Sequence, residues 1–181
     1  MRTPGRRIKW AALVFALVVP IPAGAFELSG GVSLGGFLAG TVPRLAVSPH
    51  MGVSWPMRSD FLFAVHDLGS ILPPTDKDGI GVYNKTSVAV GYSSENAIFS
   101  AGPSFSIYSI AACSVYAGRI LCGRVVGVAP GGHVQTDVYF AGPLGVSVSA
   151  NVDWVGGRSL VLPGGVAVMV VAGPVLRWSA K

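Results

Sequence analysis

Residues 144–154 read LGVSVSANVDW, and this stretch decides the fold class. Its even positions are apolar from Leu144 through Val148 to Trp154, whereas its odd positions are Gly, Ser, Asn and Asp. Successive side chains of a β-strand point to opposite faces, so a period of two predicts a strand with one apolar face and one small, polar face. A helix, with 3.6 residues per turn, would mix the two sets.

The same alternation recurs over most of the chain and predicts eight strands. Their predicted bounds are residues 26–39, 44–57, 60–68, 82–93, 97–110, 123–139, 144–155 and 166–178. A strand of eleven residues rises about 37 Å, or about 28 Å when it is tilted by about 40°, which is close to the apolar band of about 25 Å in a membrane barrel. The pattern therefore predicts an all-β fold, an eight-stranded antiparallel up-and-down transmembrane β-barrel over residues 26–181.

Composition excludes several other classes. The 181 residues are 51% hydrophobic and only 12% charged, a balance that a disordered chain does not keep in solution. The 25 glycines and 13 prolines would break most helices of a helical bundle. A β-rich or membrane protein remains.

Residues 1–25 have the pattern of a cleaved signal peptide. An apolar run over residues 10–19 is followed by Ala23-Gly24-Ala25, which a signal peptidase accepts. Four basic residues precede the run: Arg2, Arg6, Arg7 and Lys9. Without these four, nine Lys and Arg stand against eight Asp and Glu, so the basic charge belongs to export and no nucleic-acid partner is expected.

Export places the two cysteines in a compartment that permits disulfides. Cys113 and Cys122 are nine residues apart with Gly118 between them, and we expect them to form a disulfide in the fifth connection, outside the membrane. Two unpaired, buried thiols are the alternative. A zinc site is not expected, because the chain has no other cysteine and its histidines lie far away in the sequence.

The small and polar side chains at alternate strand positions are expected to face the barrel interior. The larger side chains expected to face inward are Glu27, His50, Arg124, His133, Gln135, Asp137, Asn151, Asp153 and Arg177. Eight strands enclose a space just wide enough to be filled by side chains, so these groups are expected to pair with one another as a polar plug, without a cofactor or metal. Where the first strand meets the last, we expect Glu27 and Arg177 to form an ion pair across antiparallel neighbours.

Aromatic side chains lie at the ends of predicted strands: Trp55, Tyr92, Trp154 and Trp178. Interfacial girdles of a membrane barrel have rings at these positions. Caps on the core of a soluble sandwich would also have rings there, so the rings alone leave both interpretations open.

Prolines fall inside four of the predicted strands, at Pro49, Pro103, Pro130 and Pro174. A closed barrel has no edge strand on which a missing N–H is harmless. We therefore expect β-bulges at some of these positions.

The connections differ in length on the two sides of the predicted barrel. If the first strand starts on the periplasmic side, the periplasmic connections are short, around residues 58–59, 94–96 and 141–143. Three outer connections are longer: residues 69–80, the segment with both cysteines, and residues 156–165. Short turns inside and long loops outside are typical of outer-membrane barrels.

Together, the signal peptide, the eight alternating segments and the loop asymmetry resemble a small bacterial outer-membrane β-barrel, such as the transmembrane domain of outer-membrane protein A or the outer-membrane protein X group. The resemblance implies a bacterial outer-membrane location, outer-membrane lipid as the surroundings, and export and barrel-assembly machinery as partners. Such proteins usually end in an aromatic residue. This chain ends Arg177-Trp178-Ser179-Ala180-Lys181, with Trp178 three residues before the end.

The predicted role is structural or surface-interacting, through the outer loops, and no enzyme activity is expected. A secreted or periplasmic β-sandwich or lipocalin-like binding protein is one alternative. A barrel enzyme acting on lipid is another, and His66-Asp67 with Ser70 nearby is the segment that would serve it. Adjacent strand residues point to opposite faces, which argues against a shared site for His66 and Asp67. No surface ligand is indicated by the sequence.

Overall fold

The chain forms a closed barrel in which each strand pairs with its sequence neighbours and the first strand pairs with the last. The computed structural model describes residues 26–39, 42–57, 60–74, 79–158 and 163–180. The predicted signal peptide, residues 1–25, lies outside the described residues. Every pairing is antiparallel, so the predicted eight-stranded up-and-down barrel is confirmed. Within the described residues, no helix is long and apolar enough to span a membrane.

The eight strands follow the predicted alternation closely. They are β1 Phe26–Ala39, β2 Val42–Pro56, β3 Phe61–Leu72, β4 Gly81–Ser93, β5 Ala97–Tyr116, β6 Arg119–Ala141, β7 Leu144–Arg158 and β8 Pro163–Ala180. We call the end of the barrel at which β1 begins the lower end and the opposite end the upper end. The connections at the lower end are short, residues 57–60, 94–96 and 142–143.

The three longer upper connections are all shorter than predicted, and the one between β3 and β4 is residues 73–80 instead of 69–80. β5 and β6 continue as a two-stranded ribbon to a turn at Ala117 and Gly118, which have φ angles of 48° and 75°. Positive φ at both central residues is typical of the tight type I′ hairpin turn. The predicted long fifth loop is therefore wrong, and both cysteines lie in strands. The predicted loop over residues 156–165 is also too long, because β7 and β8 leave only residues 159–162 between them.

Prolines inside the strands interrupt the ladder on one side only. Pro49 stays opposite Val32 of β1 but drops out of the pairing with β3. Pro174 stays opposite Val146 of β7 and drops out of the pairing with β1, and Pro103 behaves in the same way between β6 and β4. In an antiparallel strand the N–H of a residue points to one neighbour, so a proline leaves the other side intact.

The register is unchanged across these three interruptions, so the predicted bulges are wrong at Pro49, Pro103 and Pro174. Pro130 stays opposite Phe105 of β5, and the described pairing of β6 with β7 begins at the next residue, Gly131. The described register shifts lie at Tyr139–Ala141 and Val155–Arg158. Each of these three prolines therefore removes two consecutive partner pairs from one side of the ladder and adds no residue.

The barrel seam is closed by β1 and β8, but with a register that separates the predicted ion pair. Glu27 lies opposite Ser179, and Arg177 lies opposite Ser29. Among the described residues, the ion pair within 4.0 Å joins Lys85 and Asp153 instead. The predicted Glu27–Arg177 pair is therefore wrong, because β8 continues to Ala180 and moves Arg177 two positions up the seam.

Candidate functional site

The outer wall of the barrel is apolar and the inner wall carries most of the polar side chains. Val146, Val148 and Val152 are 41%, 45% and 50% exposed, whereas Ser147 and Asn151 between them are buried. The same contrast runs around the barrel, with large apolar side chains exposed on every strand. A water-soluble protein would leave no such continuous apolar surface open, so this wall is suited to lipid.

Aromatic rings concentrate at the lower end of the outer wall. Phe61 and Tyr92 stack edge to face with centroids 6.1 Å apart, and Trp55 lies 5.8 Å from Phe63. Trp178, 52% exposed, lies on the same end, opposite Leu28 of β1. Trp154, 62% exposed, lies near the upper end of β7.

The middle of the interior is built around a buried ion pair. Lys85 Nζ lies 2.9 Å from the Asp153 carboxylate and donates a second hydrogen bond to the Gly132 carbonyl at 3.2 Å. Ser104 adds a longer contact of 3.5 Å to the same carboxylate. Asp153 lies directly over Gly131, where a Cβ atom would collide with the carboxylate oxygen. Glycine is therefore required beneath the ion pair.

Three histidines lie below and beside this pair. His133 Nδ1 is 2.7 Å from Asn151 Oδ1, and His66 Nε2 is 3.1 Å from Ser100 Oγ. The rings of His66 and His133 have centroids 5.3 Å apart. Half-buried His50 contacts Ser33 Oγ through Nδ1 at 3.3 Å. In the part of the chain that the structure describes, no group of three or more His, Cys, Asp or Glu is arranged to hold a metal ion.

Several buried polar atoms of this middle layer have no hydrogen-bond partner among the described residues. They are His50 Nε2, His133 Nε2, Ser149 Oγ, Asn151 Nδ2 and, lower down, Tyr139 Oη. Buried polar groups of this kind are normally satisfied by internal water. The arrangement thus fits an interior that holds isolated waters among its polar side chains.

The lower mouth of the barrel has a cation stacked on an aromatic ring. Arg177 lies over the Tyr139 ring, with its guanidinium carbon 4.3 Å from the centroid. Gln135 Nε2 donates to both Asp137 oxygens at 3.0 and 3.1 Å. Half-buried Glu27 lines both a cavity of about 10 Å³ above and a cleft of about 280 Å³ at the mouth. A volume of 10 Å³ has room for about one water.

The upper half of the interior is filled by apolar side chains, so the predicted polar plug describes only part of it. The Phe37 and Tyr83 rings pack with centroids 5.3 Å apart, and the Tyr83 hydroxyl donates to Ser106 at 2.9 Å. The other members of this apolar layer are Ala46, Leu68, Leu72, Tyr108, Ile110, Ala129, Val155, Ala167, Met169 and Val171. Among the described residues, these side chains pack together in the lumen above the polar middle.

Arg44 holds the top of the barrel together. From β2 its guanidinium donates to the carbonyls of Ala111, Pro73 and Gly79 at 3.0, 2.9 and 2.8 Å, and more weakly to that of Leu72 at 3.4 Å. Charge-assisted bonds of this kind are stronger than neutral ones. One buried side chain thus joins β5 to both ends of the connection between β3 and β4.

Sequence reasoning missed Lys85, Arg44 and His66 as interior residues. It was wrong to place Arg124 inside, because Arg124 is exposed and donates to Ser109 Oγ and to the Ile80 carbonyl. Lys85 and Arg44 fall on the inward parity, two residues from Ser87 and Ala46, so the alternation itself contained the signal. His66 faces inward while Asp67 faces outward, as adjacent strand residues must. The structure therefore does not bring His66, Asp67 and Ser70 together on one face.

The backbone register places the two cysteines opposite each other. Cys113 of β5 is the Cα partner of Cys122 of β6, three rungs below the Tyr116–Arg119 pair that closes the ribbon. Directly opposed residues in antiparallel strands have Cα atoms about 4.5–5.5 Å apart. A disulfide needs about 4.4–6.8 Å, so the backbone spacing permits one.

Comparison with solved structures shows that this barrel is a known architecture. The chain is similar to Neisserial surface protein A, with a TM-score of 0.54 and 12% identity over 86% of this chain and 99% of that one. It is also similar to the N-terminal β-barrel domain of Pseudomonas aeruginosa OprF, with a TM-score of 0.50, 8% identity and coverages of 85% and 97%. The Yersinia pestis attachment invasion locus protein, Ail, is similar with a TM-score of 0.50 and 10% identity over 86% of this chain and 99% of that one.

At these identities the similarity concerns the fold. It confirms the predicted class, a small eight-stranded barrel of the outer-membrane type. No family model matches the sequence, and no curated protein matches it.

Proposed function

We propose that the protein is an integral β-barrel of the bacterial outer membrane with a structural or surface-interaction role. The observation that carries the proposal is the inverted surface: large apolar side chains face outward on every strand, while the ion pair and histidines face inward. A secreted or periplasmic binding protein with this barrel would need the opposite arrangement. The similar barrels include a neisserial surface protein and an attachment invasion locus protein, which supports the location and the surface role.

The interior supports a closed barrel that conducts no solute. The Lys85–Asp153 pair fills the middle, and the Phe37 and Tyr83 rings belong to the apolar layer above it. Above that layer, Arg44 fixes the connection between β3 and β4. We assign the role of the protein to its surface and not to its lumen, and we assign it no enzyme activity and no cofactor.

The β5–β6 ribbon is the part of the upper end best suited to meet a partner. β6 pairs with β7 only from Gly131 downward, so residues 119–130 extend beyond the described pairing with β7. We propose that a disulfide between Cys113 and Cys122 stiffens this ribbon outside the membrane, since their backbones are in register. The outer lipid leaflet surrounds its base, and barrel-assembly and export machinery deliver the chain.

Two measurements on one preparation test the proposal. The native protein is expected to stay with urea-washed outer membranes and to migrate on gels at two positions, with and without boiling. Quantitative recovery in a salt-washed soluble fraction would contradict the location. In planar bilayers we expect no channel openings from the native protein, and a Phe37→Ala/Tyr83→Ala variant provides the matched contrast because it removes two rings of the apolar layer. Steady openings from the native protein would contradict the closed interior.

A further inference from the structure

A group of polar residues interrupts the apolar outer wall on β3 and β4. It consists of Asp67, Gly69, Asn84 and Thr86, and we call it the polar island. The register places Asp67 opposite Thr86 and Gly69 opposite Asn84. Asp67 carries the one carboxyl, amino or guanidinium group among the outward-facing side chains that the structure describes on the strands below the level of Arg124.

The polar island lies within the apolar band and not at its margin. Asp67 is six residues above Phe61 of the lower aromatic ring, or about 16 Å higher along a strand tilted by about 40°. Apolar side chains surround the island: Val65 and Val88 below it, Ile71 and Val82 above it, and Met51, Phe105 and Ile107 beside it. A carboxyl group in this position has lipid in front of it.

The hydrogen bonds of the polar island are incomplete. Thr86 Oγ1 donates to Asp67 Oδ1 at 2.9 Å. The side-chain bonds between described residues leave Asp67 Oδ2 and the Asn84 amide unpaired. Lipid tails offer no donor or acceptor, and ionisable groups within a membrane normally pair with one another or mark a functional contact.

The island also contains a shallow depression. A Cβ atom on Gly69 would lie 3.8 Å from Asn84 Oδ1 and 4.0 Å from Pro49 Cγ, so the wall at Gly69 is lower than its surroundings. Here the ladder between β2 and β3 also omits Pro49. Small residues at such places let two membrane proteins approach closely.

We propose that the polar island is the contact between two copies of this chain in the membrane. The island holds an unpaired acceptor, Asp67 Oδ2, and an unpaired donor, Asn84 Nδ2, so it is complementary to itself. Two barrels inserted in the same direction are related by a two-fold axis along the membrane normal, which sets each island against its copy. Asp67 of one copy then accepts from Asn84 of the other, twice across the axis.

This inference rests on the proposed membrane location, and the test separates the two. Each variant is refolded into detergent micelles, and its migration with and without boiling reports the folded barrel independently of self-association. Sedimentation equilibrium in density-matched micelles then measures the dimer dissociation constant. A folded wild-type protein that remains monomeric at every concentration overturns the dimer and leaves the membrane proposal standing.

The variants test the donor and the acceptor separately. Asp67→Val and Asn84→Val are each expected to raise the dimer dissociation constant at least tenfold. Thr136→Val, which removes an outward polar group on β6, is the matched control and is expected to change it less than twofold. Asn84→Asp places two carboxylates on each face and is expected to weaken the dimer at least tenfold. Adding Asp67→Asn to it exchanges donor and acceptor and is expected to bring the constant back to within tenfold of wild type. An unaffected dimer in Asp67→Val, or no recovery in the exchanged double variant, overturns the proposal.

Discussion

Arginine at Val148 tests which wall of the barrel faces lipid. Val148 is 45% exposed on the outer wall of β7, four residues above Leu144 and six below Trp154. With a rise of about 3.4 Å per residue and a tilt of about 40°, it lies about 10 Å above Leu144 and about 16 Å below Trp154. This position is close to the midplane of an apolar band about 25 Å thick.

The expected cost follows from that depth. An arginine on the lipid face of a barrel costs about 2–4 kcal/mol at the midplane and about 0–1 kcal/mol near the interfaces. Val148→Arg should therefore lower the free energy of unfolding by about 2–4 kcal/mol. Leu144→Arg, on the same face of the same strand but at its lower end, should lower it by no more than about 1 kcal/mol.

Reversible guanidinium unfolding in lipid vesicles, followed by tryptophan fluorescence, measures both variants against the parent. The informative quantity is the difference in free energy of unfolding between the two variants, since both introduce the same residue on the same strand. Equal costs at Val148 and Leu144 would refute the assigned depth. A parent-like stability for Val148→Arg would mean that the inner and outer walls have been interchanged.

Three further predictions concern the interior and the ribbon. Lys85→Met or Asp153→Ala alone should lower the free energy of unfolding by about 3–5 kcal/mol, because each leaves a buried charge unpaired. Lys85→Met combined with Asp153→Leu should recover most of that loss. A cost for the double variant equal to the sum of the two single costs would contradict this. Reduction of a Cys113–Cys122 disulfide should destabilise the ribbon by about 2–3 kcal/mol in hydrogen exchange, and reaction of both thiols with an alkylating reagent in the unreduced, denatured protein would show that the disulfide is absent. Arg44→Met should lower the local opening free energy of the β3–β4 connection by about 1.5–3 kcal/mol, and unchanged protease resistance there would contradict the role given to this residue.

The alternation of the sequence was sufficient for the strands and for the direction of most side chains. The segment Leu144–Trp154 is an example, because lipid on one side and packed side chains on the other impose a strict period of two. The alternation says nothing about which residues of distant strands meet. Lys85 and Asp153 are 68 residues apart, and only the closed barrel brings them together across its lumen.

The apolar upper interior was not predictable in the same way. Phe37 and Met169 face inward, but their outward neighbours Leu38, Val168 and Val170 are also apolar, so the pattern there does not distinguish the two walls. The seam was mispredicted for another reason. The register of β1 against β8 depends on where β8 ends, and two extra residues were enough to separate Glu27 from Arg177.

The upper part of β6 has a further consequence for the molecule before it reaches the membrane. Residues 119–130 extend past the described pairing with β7, so this length of strand presents an open edge to any other chain nearby. Arg119 and Arg124 are exposed on this part of β6, where Arg124 donates to Ser109 and Ile80, and Pro130 at its base has no N–H. Like charges and a missing donor are the features by which natural sheets prevent edge-to-edge polymerisation. These residues are therefore expected to disfavour pairing of this edge with the edge of another chain.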